Sequence, residues 1–80
     1  MYQAEQRNVM KRTLGSIIHG AFNSEAECAR KLGWARQRLN RIVNGDKEPS
    51  ISEAAAISAA TGKAQNEIAD IFLAYWSPNG

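Results

Sequence analysis

Eighty residues with a formal charge of +2 are expected to form one domain, residues 1–80, with a core over about 10–76, and no separate catalytic or sensory unit. The single Cys28 cannot form an internal disulfide, which fits a reducing, cytoplasmic setting. No apolar run approaches the roughly 18 residues of a membrane span, and MYQAEQRNVMKR lacks the apolar stretch and small-residue cleavage site of a signal peptide.

Residues 4–22 place Met10, Leu14, Ile17, Ile18, Ala21 and Phe22 on one stripe of helical period. Gly20 and Asn23 mark its expected end. Ser24, with Glu27 three positions on, has the spacing of a capping box. It opens a short helix over 24–32 that turns Cys28, Ala29 and Leu32 inward, and Gly33 stops it. A third helix is predicted over 35–44, ending at Asn44-Gly45, a favoured left-handed pair. Asn-Gly also makes hairpins, but here its flanks keep a helical period. In the linker DKEPS, Pro49 is a stop signal. Ser52 is expected to cap a fourth helix, SEAAAISAA, which Thr61-Gly62 breaks. The fifth helix covers 64–76, with Ile68, Ile71, Phe72 and Tyr75 on one stripe. No segment alternates with period two, so the expected fold is all-α, five short helices around one core.

Charge is unevenly spread. Residues 1–29 are neutral, with Arg7, Lys11 and Arg12 set against Glu5, Glu25 and Glu27. Residues 30–47 hold Arg30, Lys31, Arg36, Arg38, Arg41 and Lys47 against Asp46 alone, a local charge of +5. The rest holds Lys63 against Glu48, Glu53, Glu67 and Asp70, a charge of −3. A polyanion fits the basic segment, although charge runs often form nothing more than a solvated face.

On a wheel of roughly 100° per residue, Ala35, Leu39, Ile42 and Val43 cluster on one side of the third helix. Arg36, Gln37, Asn40, Arg41 and Asn44 cluster on the other, with Arg38 at the edge. Arg, Gln and Asn are the side chains best suited to the hydrogen-bonding edges of guanine and adenine in the major groove. Ala29 is small enough to let two helices cross closely. Gly33 permits the positive φ of a tight turn between them, and Trp34 is placed to plug the junction.

With Ala29, Leu32, Gly33, Trp34, Leu39, Ile42, and Asn44-Gly45 followed by Pro49, residues 10–73 resemble the phage repressor/Cro-like helix-turn-helix regulators. That resemblance implies a five-helix lambda-repressor-like domain. It implies base reading by Arg36, Gln37, Asn40 and Arg41, and phosphate contacts by Ser24, Arg38, Asn44 and Lys47. The partner it implies is double-stranded operator DNA, bound by a homodimer that forms in solution or only on the DNA, and the origin is bacterial or phage. The chain is then either a complete Cro-like protein or the DNA-binding domain of a larger regulator. Many relatives carry Gln near the start of the second helix, at a phosphate. Glu25 stands here instead; it would repel a phosphate if it pointed there, and otherwise favours the N-terminus of its own helix. The expected dimer contact is the aromatic end of the fifth helix, Phe72, Tyr75 and Trp76, with core packing as the plainer role for Phe72.

No catalytic set is assembled by the sequence. His19 has no metal-ligand neighbour at suitable spacing, and Cys28 sits in an apolar stripe as a small hydrophobe. The expectation is a non-enzymatic protein without cofactor or small-molecule ligand. The alternative is a protein-interaction module on the same fold, an antitoxin or antirepressor that binds another regulator through an apolar patch around Trp76.

Overall fold

A computed structural model of the chain describes the backbone of residues 2–77 and the side-chain burial of residues 5–77. Its five helices are α1 Tyr2–Ala21, α2 Glu25–Leu32, α3 Arg36–Val43, α4 Ile51–Thr61 and α5 Gln65–Trp76. Among the described residues there is no strand. The fold is the expected all-α, five-helix arrangement.

The spine is α1, against which all four other helices pack. Met10, Leu14 and Ile18 recur every four residues on its inner face and are almost wholly buried. Twenty residues at a rise of about 1.5 Å give a rod of about 30 Å, close to the 32 Å long dimension of the molecule. The helix runs through Gly20 to Ala21, so Gly20 does not end it. A glycine costs a helix interior only about 0.5–1 kcal/mol, less than burial of the neighbouring Ile18 returns. Ala21, expected on the buried stripe, is exposed at the last helical position. Phe22, just beyond it, packs on the core instead.

Ser24 caps α2, its hydroxyl accepting a bond from the Glu27 N–H at 3.1 Å. Only this half of the expected capping box forms. Glu27 retains the favourable field of the helix N-terminus. At the other end Gly33 adopts φ 75°, its N–H donates to the Arg30 carbonyl, and the Trp34 N–H donates to the Ala29 carbonyl. The same pair of bonds closes α3: Gly45 has φ 80°, its N–H donates to the Ile42 carbonyl, and the Asp46 N–H donates to that of Arg41. These are Schellman ends, and they fix where the chain enters and leaves α3.

Ser50, not Ser52, caps α4. Its hydroxyl accepts from the Glu53 N–H at 3.1 Å, and Glu53 Oε1 accepts from the Ser50 N–H at 2.9 Å. The S-x-x-E spacing of a full capping box begins at Ser50; Ser52 lies in the first turn, its hydroxyl 3.1 Å from that of Ser50. The core gathers Met10, Leu14, Ile18, Cys28, Ala29, Leu39, Ile42, Val43, Ile57, Ile68 and Phe72.

Two glycine substitutions separate strain from crowding. A left-handed backbone costs an L side chain about 1–2 kcal/mol. A Cβ on Gly33 meets open space, whereas one on Gly45 comes within 3.1–3.2 Å of the Tyr75 ring and the Met10 methyl. Gly33→Ala is therefore expected to cost about 1 kcal/mol and Gly45→Ala about 2–3 kcal/mol. Urea titrations measure both, and equal losses would show that the Tyr75 ring does not press on this loop. Ala29→Leu, at the buried crossing, is expected to cost about 1–3 kcal/mol in the same assay.

Candidate nucleic-acid interface

The eight residues of α3 divide cleanly. Leu39, Ile42 and Val43 are buried, while Arg36, Gln37, Arg38, Asn40 and Arg41 are exposed. The division follows from docking. The backbone of α3 approaches only α1 and α2, which cover one side and leave the other open. Ala35 stands at its N-cap and offers no side-chain acceptor. The first-turn N–H groups are thus left without a side-chain cap.

Gln37, Asn40 and Arg41 meet Arg38, Lys47 and Ala35 around a shallow depression of about 500 Å³. Arg36 is exposed in the first turn of α3, outside that lining. Ser24 is half-buried at the start of α2, its hydroxyl oxygen engaged with the Glu27 N–H. Asn44, also half-buried, donates from Nδ2 to Asn40 Oδ1 at 3.0 Å. Asn40 in turn donates from its own Nδ2 to Glu25 Oε1 at 3.1 Å. Glu25 thus sits beside a candidate base-reading side chain and fixes its amide. The sequence marks Glu25 only as a departure from a family pattern.

The second acidic participant is Glu53, which the sequence shows only as one charge of an acidic segment. Its side chain is 6 % exposed, and Oε2 accepts from Arg38 Nε at 2.8 Å. Lys47 Nζ reaches Oε1 at 2.8 Å and Oε2 at 3.0 Å. The Arg38 guanidinium also lies over the Trp34 ring, 4.4 Å from its centroid, a cation–π contact. Arg38 and Lys47, two of the expected phosphate contacts, are therefore held together by one buried carboxylate. The only available sequence signal was the Ser50-to-Glu53 spacing.

The aromatic end of α5 separates into three cases. Phe72 is 5 % exposed and belongs to the core. Tyr75 is half-buried against Gly45 and accepts a bond from Arg7 Nε at 3.3 Å. Trp76 is half-buried at an apolar depression of about 300 Å³ lined also by Pro49, Ile51, Ala69 and Leu73. Ile51 is 92 % exposed and Leu73 is 59 % exposed; neither lies on the stripe read from the sequence. Burial pushes the Cys28 thiol up, which suits a buried hydrophobe and not a nucleophile.

A short helix set across another by a tight glycine turn, with its polar face open beside a cationic depression, is the architecture of a helix-turn-helix DNA-binding domain. The family model HTH_3, described as helix-turn-helix, matches residues 24–70. The chain belongs to this Cro/C1-type family, whose members are non-enzymatic DNA-binding domains. The match begins at the cap of α2 and runs into α5, so α1 lies outside it. No significant match to the chain is found among curated proteins or among solved structures. Among the described residues, no helix is long and apolar enough to cross a membrane.

Lys47, the Ser50 N–H and Arg38 together hold the Glu53 carboxyl down from 4.5 to about 2, against the opposing effect of burial. A carboxyl that ionises more readily folded than unfolded stabilises the fold fully above its unfolded value. That contribution shrinks as the pH falls through 4.5 and is gone near 2. Discounted for half-exposed partners, it amounts to about 2–3 kcal/mol at pH 7. Urea unfolding of the wild type and Glu53→Gln should differ by that amount at neutral pH and converge near pH 2. A gap that persists at low pH would assign the loss to packing.

Proposed function

We propose that the chain is a sequence-specific transcriptional regulator, a Cro-like repressor that lays α3 in the major groove of operator DNA. The exposed polar face of α3 carries this reading. Arg36 and Arg41 suit guanine edges, and Gln37 and Asn40 suit adenine. Ser24, Asn44, Arg38 and Lys47 flank that face and would set the register through phosphates, which carry no sequence information of their own. Repression follows sterically, by occupancy of an operator that overlaps a promoter. The protein works in the cytoplasm, where the DNA is, and without a cofactor.

Two copies related by a two-fold axis would read a pseudo-palindrome, with recognition helices about 34 Å apart. The support for pairing is the exposed apolar surface of Ile51 and Leu73 beside Trp76. Pairing would use Trp76 and Tyr75; Phe72 is already occupied in the core of its own protomer. The same surface also favours the second reading, an antitoxin or antirepressor that binds another regulator.

DNA titrations decide between the two. With about 4–6 phosphates contacted per subunit, log K on random duplex should fall with log salt at a slope of about −4 to −5. No binding at low salt would favour the protein-interaction module. Arg36→Ala and Gln37→Ala should each cost about 1–3 kcal/mol on a selected site and little on random DNA. Equal losses on both would displace α3 from the groove. Leu73→Ser should weaken pairing on the selected site and leave binding of an isolated half-site unchanged, as read by stoichiometry in sedimentation. An unaltered stoichiometry would move the interface elsewhere.

A further inference from the structure

We propose that Glu53 sets the electrostatic strength of the DNA interface, by holding Arg38 and Lys47 at the rim of α3 and cancelling one of their two positive charges. The inference rests on the DNA-binding reading above and assigns a role to a residue outside the reading helix.

The geometry is asymmetric. The Glu53 side chain is 6 % exposed, while those of Arg38 and Lys47 are 45 % and 37 % exposed. A phosphate arriving at the depression meets the two cations first and never reaches the carboxylate. Both cations line that depression beside Gln37, Asn40 and Arg41. Arg38 engages Glu53 through Nε alone, and its terminal nitrogens have no partner among the described residues. Its plane is fixed from the other side by Trp34. Those free nitrogens match the fork a phosphate accepts. Lys47 is bound to both carboxylate oxygens, so a phosphate competes with Glu53 for it.

Glu53 cannot withdraw from this competition. Its Oε1 also completes the cap of α4 by accepting from the Ser50 N–H, and the residue lies in the first turn of that helix. The cluster therefore meets DNA as a unit of net charge +1, where the cations alone would present +2. Because α3 and α4 make no close backbone approach, this cluster is also the polar tie between the reading helix and the helix behind it.

The effect is measurable as counterion release. Each phosphate contact adds about −0.9 to the salt slope, which corresponds to about eightfold in affinity at 0.1 M salt relative to 1 M. Glu53→Gln is expected to tighten binding to random duplex by about eightfold and to steepen the slope by about 0.9. Lys47→Gln is expected to do the reverse by the same factor. The double variant should return to the wild-type slope, closing a double-mutant cycle.

Circular dichroism and melting at low temperature report whether Glu53→Gln remains folded. Glu53→Thr gives a second neutral residue of different shape, for which the same gain is expected. A folded neutral variant with unchanged or weaker binding to random DNA would overturn the proposal and reduce Glu53 to a structural cap. Should neither neutral variant fold, Lys47→Gln and Arg38→Gln still decide. With one charge cancelled by Glu53, either variant should make the slope shallower by about 0.9, and the two combined by no more. A combined variant shallower by about 1.8, or an unchanged slope in all three, would overturn the proposal. A wild-type chain that binds no DNA at low salt would remove the DNA-binding reading itself, and this inference with it.

Discussion

Helices shorter than about 12–15 residues are marginal in water, and α3 has eight residues. It exists because Leu39, Ile42 and Val43 seal against the core while glycines in left-handed conformation close the chain at both of its ends. Everything else about the interface follows from this dependence. A helix that must bury one side to exist has that side chosen for it. The remaining side is then exposed by geometry, and its composition is free to serve another purpose. Here it carries arginine, glutamine and asparagine.

The exposed face is not left loose. Carboxylates from two neighbouring helices reach into it. Glu25 of α2 takes the Asn40 amide, and Glu53 of α4 takes Arg38 together with Lys47. Acidic residues on a surface that suits a polyanion look misplaced when charges are only counted along the chain. In three dimensions each is bonded to a polar or cationic neighbour, and the half-buried Glu25 and the buried Glu53 are both set back from the exposed side chains they hold. Their repulsion toward a phosphate is reduced, while their hold on the side chains in front of them is kept.

Local chemistry was legible in the sequence because it is local. The stripe through Met10, Leu14 and Ile18, the stop at Gly33 and the two-sided wheel of α3 all depend on residues within a turn or two of one another. The cap of α4 belongs to the same class, yet Ser50 and Ser52 both precede an alanine-rich run, and only the return bond from Glu53 distinguishes them. What was not legible joins segments far apart in the chain. Arg38 and Glu53 are fifteen residues apart, as are Asn40 and Glu25, and Arg7 and Tyr75 are separated by 68. No periodicity announces such pairs. The end of α5 fails for a related reason. A helical stripe predicts one buried side, but Ile51 and Leu73 lie outside it and form an apolar surface only once α4 and α5 are side by side.

Gly45 ties the far end of the chain to the helix that faces outward. Its Cα lies under the Tyr75 ring and against Met10, in a conformation that disfavours any side chain. The Tyr75 hydroxyl accepts from Arg7, which also approaches Asp46 at 3.8 Å. Positions 45 and 75 are therefore sterically coupled. A larger residue in the loop becomes tolerable only when the ring shrinks, and a smaller ring leaves a gap that the loop, with its fixed Schellman bonds, cannot fill. The side chain at position 75 of the carboxyl-terminal helix is in this way fitted to the turn that ends α3, although the two are thirty residues apart in the chain.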